Sequence, residues 1–278
     1  MPERRADLHI HTYYSDSTMS PREVVREAAK AALACIAITD HDTVDGVPEA
    51  VSEAGKLGIE VIGGVELSSE HGKKDVHILG YGFELKKSPL VLKLKDMQQA
   101  RMERMKKMVA KLNALGFNDI RYEDVAIRTR SDAVGRLHLA QLLVEKRHVD
   151  NLDMAFERYL GEGAQAYFSK FRQTPAEAVK LIKDSGGVAV MAHPMLTQRD
   201  EIIPELVRAG LDGLEVYYPN CSMEITNFYT RLAAKHGMLI TGGSDAHGAG
   251  KKNTYIGKAY VPCEHVEKLK KLCSSAGA

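Results

Sequence analysis

Short apolar runs alternate with amphipathic stretches through both ends of this 278-residue chain, and this alternation restricts the fold more than any other feature. Strands that alternate with helices through short links are typical of a parallel α/β sheet or barrel. The runs predict seven strands, at residues 6–11, 35–39, 59–62, 76–81, 187–192, 213–218 and 238–241. The third strand is expected to end at Gly63-Gly64. Ser20, Pro21 and Glu23 predict a capped start for the first helix.

The middle of the chain breaks this pattern. From about Leu90 to Tyr159 the periodicity is helical and no run predicts a strand, and Asp96–Leu115 predicts one long helix. Its methionines are expected to form a core and its lysines a solvated face. About seventy residues exceed the usual crossover between strands. We therefore expect a barrel made of residues 1–90 and 170–278, with a helical insertion domain at residues 91–169.

Composition excludes several classes of protein. The formal net charge is +1, which gives no overall field for recruiting nucleic acid or a membrane surface. We expect no stable binding of duplex nucleic acid. No apolar run is long enough to span a bilayer, and the first residues lack the apolar core of a signal peptide, so a cytoplasmic location is expected. The four cysteines form no CxxC pair, which argues against a disulfide framework and a thiolate zinc site.

Ionisable side chains lie in or just past almost every predicted strand. The residues are His9, His11, Asp16, His41, Glu66, His77, His193, Asp245 and His247. His9 and His11 share one strand face because side chains two apart point the same way. In βα barrels the functional groups collect at one end of the strands. Any one of these histidines alone is as often a hydrogen-bonded core residue as a ligand, but their convergence indicates a common site.

Crowded imidazoles and carboxylates predict bound cations. Such groups would suffer mutual repulsion and desolvation without a cation. Nitrogen and oxygen ligands without thiolate suit Zn²⁺, Mn²⁺ or Fe²⁺, so we expect two to three divalent ions. Asp40 follows the second strand directly. It is expected either to orient His41 or another ligand, or to cap a helix.

Six segments, found in order along the chain, carry a resemblance to a known family. They are DLHIHT, TDHDT, GVELS, HILGY, AHP and GSDAH, and they resemble the PHP (polymerase and histidinol phosphatase) family. The resemblance implies a distorted seven-stranded βα barrel similar to a TIM barrel. It also implies three metal sites: His9, His11, Glu66 and Asp245; Glu66, His77 and His193; and Asp16, His41 and His247. Glu66 would then bridge two ions.

A narrower resemblance concerns the substrate side. GRLH at residues 135–138 and AYFSK at residues 166–170 are similar to a PHP subfamily that includes 3′,5′-nucleotide bisphosphate phosphatases and enzymes that trim short RNA from the 5′ end. The usual motif is GRPH, so Leu137 departs from it and puts the loop geometry in question. The resemblance implies that Arg136 contacts phosphate together with basic residues near it, for which Lys170 is a candidate. Either His138 or a metal-bound water would protonate the leaving oxygen. Surface or core roles remain open for these three.

The sequence thus predicts a metal-dependent phosphoesterase. It would hydrolyse phosphomonoesters of small nucleotides, such as nucleoside 3′,5′-bisphosphates or AMP, or short 5′-phosphorylated RNA, by attack of a metal-bridging hydroxide. One alternative is a histidinol-phosphate phosphatase, which uses the same chemistry on another substrate. A second alternative is a metal-binding PHP module without catalytic activity. The oligomeric state does not follow from the sequence.

Overall fold

The computed structural model describes residues 4–127, 135–169, 173–251 and 254–276. These residues divide into two compact units. The first comprises Met1–Leu92 and Arg172–Ala278, and the second is Lys93–Phe171. No helix among the described residues combines the length and the apolarity needed to cross a bilayer.

An eight-stranded sheet forms the first unit. The strands are β1 Arg5–Ile10, β2 Cys35–Ile38, β3 Glu60–His71, β4 Lys74–Tyr81, β5 Val188–Met191, β6 Gly213–Tyr217, β7 Leu239–Gly242 and β8 Val261–Pro262, in the order β7-β6-β5-β4-β3-β2-β1-β8. Strands β1, β2 and β3 are mutually parallel, as are β5, β6 and β7. β4 runs antiparallel to both of its neighbours, and β8 runs antiparallel to β1.

The chain beyond β7 closes the sheet into a nearly complete barrel. Ala246 forms a parallel bridge with Ile10. The Asp245 N–H donates to the His9 carbonyl at 2.8 Å, and the His11 N–H donates to the Ala246 carbonyl at 3.1 Å. All seven predicted strands are present, so the predicted barrel is confirmed. The eighth strand has only two residues, too few for a pattern in the sequence to reveal it.

The predicted end of the third strand at Gly63-Gly64 is wrong. β3 continues to His71 and turns at Gly72, which has a φ of 65°, into β4. A Cβ on Gly64 would lie 2.9 Å from Thr39 Cγ2 and 3.1 Å from the Ile38 carbonyl oxygen. Gly64 therefore permits close packing of β3 on β2 rather than a turn. As a result Glu66 lies inside a strand and not beyond it.

The helices follow the predicted alternation. They are α1 Pro21–Lys30, α2 Val47–Leu57, α3 Pro89–Ala114, α4 Tyr122–Ala126, α5 Arg136–Glu145, α6 Leu152–Ala155, α7 Pro175–Asp184, α8 Pro194–Thr197, α9 Ile203–Ala209, α10 Met223–Lys235 and α11 Cys263–Ala276. Short turns of 3₁₀ or π type lie at Phe156–Leu160, Asp200–Ile202 and Gly248–Gly250. The predicted cap of α1 is confirmed, since Ser20 and Glu23 form a reciprocal capping box before Pro21.

Strand β2 explains why the barrel strands read as continuous apolar runs. Cys35 and Ala37 belong to one buried cluster with β1, β4 and β5, whereas Ile36 and Ile38 belong to another with helices α1 and α2. Both faces of the strand are therefore covered. A parallel strand buried on both faces does not alternate with polar residues.

The described residues of the second unit form helices and loops and contain no strand. Its core joins α3, α5 and the turn at Phe156–Leu160, and Met105 and Met108 of α3 are among its most buried side chains. The prediction that methionines of this helix form a core is confirmed for Met105 and Met108. Lys106 and Lys107 of the same helix are exposed, as expected for its solvated face.

Candidate metal centre

The first unit brings together all nine residues that the sequence predicts as ligands. They are His9 in β1, His11 and Asp16 just beyond it, His41 after β2, Glu66 in β3, His77 in β4, His193 after β5, and Asp245 and His247 after β7. His77 lies in the amino-terminal half of its strand, whereas the carboxyl end was expected. It still reaches the site because β4 runs antiparallel, so this end of β4 lies beside the carboxyl end of β5.

One group of ligands surrounds the end of β1. The His9 and His11 Nε2 atoms lie 3.1 Å apart, and each lies 3.1 Å from Glu66 Oε2. Asp245 Oδ1 lies 3.6 Å from the first and 3.3 Å from the second. Four donor atoms that lie this close, all on buried residues, form a set that could hold one metal ion.

A second group shares His11 and lies nearer the solvent. It comprises His11, Asp16, His41 and His247. Asp16 Oδ1 lies 3.1 Å from His247 Nε2 and 3.6 Å from His11 Nδ1, and Asp16 Oδ2 lies 3.8 Å from His41 Nε2. This carboxylate is 44% exposed, so the group opens toward solvent.

The third group is arranged around the other side of Glu66. His77 Nδ1 lies 2.9 Å and His193 Nε2 lies 3.1 Å from Glu66 Oε1. His41, Glu66 and His77 could hold one ion. The two oxygens of Glu66 therefore face different imidazoles: Oε1 faces His77 and His193, whereas Oε2 faces His9 and His11. This division is what a carboxylate that bridges two ions requires.

The donor atoms fit divalent metal ions. Ligands about 2.1 Å from a tetrahedral metal lie about 3.4 Å from one another, close to the spacings in this site. His41 Nδ1 is buried and forms no hydrogen bond, although it lies only 3.3 Å from Glu66 Oε2. A nitrogen in this position is suited to share a cation with the carboxylate. The ligands are nitrogen and oxygen atoms without sulfur, a set that does not select among Zn²⁺, Mn²⁺ and Fe²⁺.

Positive charge stabilises the buried carboxylates of this site. Burial alone would raise the pKa of the Glu66 carboxyl, but the imidazoles of His41, His9 and His77 hold it well below its usual range. Burial alone would lower the pKa of His11, but hydrogen bonds with Asp245 and Glu66 raise it to about 10. Burial lowers the pKa of His41 to about 4. The carboxylates thus stay ionised and attract either protons or metal cations.

Three of the seven non-glycine residues with positive φ among the described residues lie at or beside this site. Asp42, His193 and Asp245 have positive φ values of 51°, 27° and 48°. Non-glycine residues rarely adopt this region, and such strain tends to occur where function fixes the geometry. At His193 and Asp245 the strained backbone redirects the chain directly after β5 and β7. Their side chains thereby turn toward Glu66 and the β1 histidines.

Two buried acids support the ligands, and the sequence analysis missed both. Glu215 of β6 is fully buried, accepts from His9 Nδ1 at 2.9 Å, and accepts from the His193 N–H at 2.8 Å. Asp7 of β1 is also fully buried and accepts from the N–H groups of Ser244 and Gly257. A lone acid inside an apolar strand was the available signal for each. Glu215 fixes the tautomer of His9, so that Nε2 presents its lone pair to the site.

Asp40 does not cap a helix; its hydrogen bonds go to the loop that leads to the ligand Asp16. It accepts from the Thr12 N–H at 2.6 Å and from the hydroxyls of Thr12 and Ser15, each at 2.7 Å. It does not cap α2, whose N-cap is Gly46. Burial raises the pKa of Asp40, which these donors counteract. Asp40 therefore holds the loop that follows His11 and leads to Asp16.

The substrate-side residues lie in the second unit or outside the described residues. Arg136 begins α5, and its Nη1 donates to the Leu160 carbonyl at 3.2 Å. Its guanidinium lies 5.7 Å from the Phe156 ring centroid and 5.8 Å from that of Tyr167. His138 Nδ1 accepts from the Gly135 N–H at 3.1 Å, which caps the helix start. Lys170 lies outside the described residues.

Comparison with known proteins adds a family and several relatives. The PHP domain family matches residues 7–188. A 3′,5′-nucleoside bisphosphate phosphatase of Chromobacterium violaceum is 33% identical over 274 residues, which cover 96% of this chain and 93% of that protein. A 5′-3′ exoribonuclease of Haemophilus influenzae is 30% identical over 249 residues, which cover 88% of this chain and 90% of that protein.

Two solved structures resemble the whole chain. A metal-dependent phosphoesterase from Bifidobacterium adolescentis matches with a TM-score of 0.82 and 30% identity, over 98% of this chain and 97% of that one. An amidohydrolase from Chromobacterium violaceum, with bound SO4 and no metal, matches with a TM-score of 0.78 and 31% identity, over 96% of each chain. The predicted resemblance is therefore confirmed over nearly the full length.

Proposed function

The chain belongs to the PHP domain family, and on that premise we propose that it is a metal-dependent phosphoesterase acting on small phosphorylated nucleotides or short 5′-phosphorylated RNA. The observation that carries this proposal is the division of Glu66, whose two oxygens face two different sets of imidazoles. A buried carboxylate shared in this way is suited to hold two cations close together. Two close cations are a common arrangement for displacement at phosphorus.

The proposed ligands follow the three groups. His9, His11, Glu66 and Asp245 would hold one ion, and Glu66, His77 and His193 a second. Asp16, His41 and His247 would hold a third at the exposed side. His41 also lies within reach of the second ion, because His41, Glu66 and His77 form a group that could hold one ion. We therefore propose that His41 is shared between the second and third positions.

The reaction is hydrolysis of a phosphoric ester, in which water adds to phosphorus and the bond to the leaving oxygen breaks. When bound, the divalent ions lower the pKa of water and neutralise charge on the phosphoryl oxygens. The protein supplies rigid positioning. Glu215 holds the His9 ring and the His193 backbone in place, and Asp40 holds the loop that leads to Asp16. Such pre-organisation avoids rearrangement as the charge develops.

The substrate class rests on the relatives. Those described above are a nucleoside bisphosphate phosphatase and an exoribonuclease, which share a phosphorylated nucleotide as the reacting unit. The Chromobacterium violaceum structure with bound SO4 adds a tetrahedral dianion similar in shape to phosphate. These likenesses support a nucleotide over histidinol phosphate as the substrate.

Arg136 and His138 remain proposals for the substrate side. Arg136 donates one hydrogen bond to the Leu160 carbonyl. Among the described residues, no carboxylate forms an ion pair with it. A guanidinium with donors left over can bind two phosphate oxygens. His138 is proposed as a proton donor to the leaving oxygen, although its Nδ1 already accepts from Gly135. Lys170 is proposed as a further phosphate contact on the resemblance alone.

A panel of substrates tests the proposed function. With added Mn²⁺, release of inorganic phosphate would be measured from nucleoside 3′,5′-bisphosphates, nucleoside monophosphates and histidinol phosphate. Release of phosphate or of nucleoside 5′-monophosphate would be measured from a short 5′-phosphorylated RNA. We expect the bisphosphate or the RNA to be preferred. A preference for histidinol phosphate would overturn the substrate class and leave the metal centre standing. No release from any of them, nor from an aryl phosphate, would favour a metal-binding module without catalysis.

A further inference from the structure

Lys251 lies at the edge of the metal centre and plays no part in the function described so far. It follows the short turn at Gly248–Gly250, and its Nζ donates to Asp245 Oδ2 and, at 2.9 Å, to the Tyr218 hydroxyl. Among the described residues it is the one lysine or arginine in an ion pair with Asp16, Glu66 or Asp245. No pattern in the sequence predicts this contact.

Asp245 presents a different oxygen to each side. Oδ1 faces the Nε2 atoms of His9 and His11, whereas Oδ2 accepts from the Tyr218 hydroxyl at 2.7 Å and from Lys251. Tyr218 alone would suffice to satisfy and orient Oδ2. Its ring is itself held edge-on against His193, with centroids 5.7 Å apart. Orientation of Asp245 therefore does not account for the lysine.

A lysine at this place carries an electrostatic cost. Its ammonium pairs with a carboxylate whose other oxygen faces two imidazoles, in a site that we propose to hold cations, and like charges repel. That cost is offset if an anion binds between the Lys251 ammonium and the metal cations. A lysine ammonium has three donors, of which Asp245 and Tyr218 take two. The side chain is 38% exposed, so the third donor is open to an arriving ligand.

We propose that Lys251 Nζ contacts a phosphoryl oxygen of the substrate at the metal centre, with Tyr218 as the positioning residue that holds the ammonium in place. The ligand class is a phosphomonoester dianion or inorganic phosphate. This inference rests on the proposed function, because it assumes that phosphate binds beside the ions. It concerns a residue of the first unit and is independent of the roles proposed for Arg136 and His138.

The test uses Lys251→Met and Lys251→Arg, with Lys235→Met as the matched control. Lys235 is exposed at the end of α10 and has no ion pair among the described residues. The probe is inorganic phosphate, titrated calorimetrically into the Mn²⁺-loaded full chain, with metal content measured on the same samples. We expect Lys251→Met to weaken phosphate binding about ten- to a hundredfold, the range for hydrogen bonds between charged groups. Metal content should stay at the wild-type level.

Two further variants distinguish a direct contact between Lys251 and phosphate from a purely structural role of this lysine. Lys251→Arg should recover most of the affinity, since it restores the charge. Tyr218→Phe should weaken phosphate binding only a few-fold and, like Lys251→Met, should raise KM more than it lowers kcat. Equal phosphate affinity in Lys251→Met and Lys235→Met would overturn the inference, as would loss of metal in Lys251→Met. The binding assay needs no turnover, so an enzyme that binds phosphate but hydrolyses nothing refutes the proposed function and not this contact.

Discussion

The two units of the chain differ in how their functional side chains are held. In the first unit the ligands lie on or directly after strands, and buried acids such as Glu215 and Asp40 fix them. In the second unit Arg136 lies half-buried on a helix, and one of its N–H groups is held only by a backbone carbonyl. A side chain whose rotamer is locked by buried hydrogen bonds is held more rigidly than one with a single such contact. Under the proposed function, the first unit would hold the metal ions, and the second would contribute Arg136 to phosphate binding and His138 as a proton donor.

The Glu66→Gln variant tests most directly whether the first unit holds the metal ions, and it has the largest expected effect. The amide cannot bridge two cations as a carboxylate does, so we expect a loss in kcat on the order of a thousandfold or more, since metal assistance contributes several kcal/mol. Phosphate release and circular dichroism would be measured together, with Glu84→Gln as the control at an exposed position. Full activity in Glu66→Gln would refute the bridging role.

Removal of the support behind a ligand should have a smaller effect. Glu215→Gln keeps the size of the side chain but weakens its hold on His9 Nδ1, so metal affinity should fall about ten- to a hundredfold. Competition with a chelator measures that affinity directly. Glu205→Gln, at an exposed position on α9, serves as the control. Unchanged affinity would mean that Glu215 only fills the barrel.

The second unit should respond through binding. Arg136→Met is expected to raise KM for a nucleotide about tenfold and to leave metal content unchanged, because the guanidinium would contact substrate and not the ions. Arg158→Met, at an exposed position of the same unit, is the control. A lowered metal content in Arg136→Met would contradict the division of labour between the units.

The smallest expected effect concerns stability alone. Ser20→Ala removes the side-chain acceptor at the start of α1 and should lower the free energy of unfolding by about 1 kcal/mol. Denaturant unfolding measures the change. Turnover per folded molecule should not change, because Ser20 contacts no ligand of the metal centre. A change in kcat would show that the position of α1 affects the site.

The sequence predicted most of the metal centre, and the reasons are specific. The spacing of His9 and His11 on one strand predicted that they act together. The position of Asp245 and His247 just after another strand predicted that they join the same site. Glu215 and Asp7 were not predicted as parts of the site, because a single acid in an apolar strand has no characteristic spacing to another ligand. Their partners lie 206 and 237 residues away in the chain, at His9 Nδ1 and the Ser244 N–H. Only the closure of the barrel brings these residues together.

The errors in the fold have equally local causes. Gly63 and Gly64 predicted a turn, but they lie in a strand that packs closely against its neighbour. The reversed direction of β4 left no mark in its sequence, although it decides which end of the strand His77 must occupy. The contact between Lys251 and Tyr218 could not be predicted, because it depends on the conformation of a loop that has no periodic sequence pattern.

The most direct test of the account is a crystal structure of the Mn²⁺-loaded protein with an anomalous difference map. The account predicts at least two strong peaks on either side of the Glu66 carboxylate, one beside His9 and His11 and the other beside His77 and His193. A single peak, or peaks that Glu66 does not contact, would contradict the bridged metal centre on which the proposed function depends.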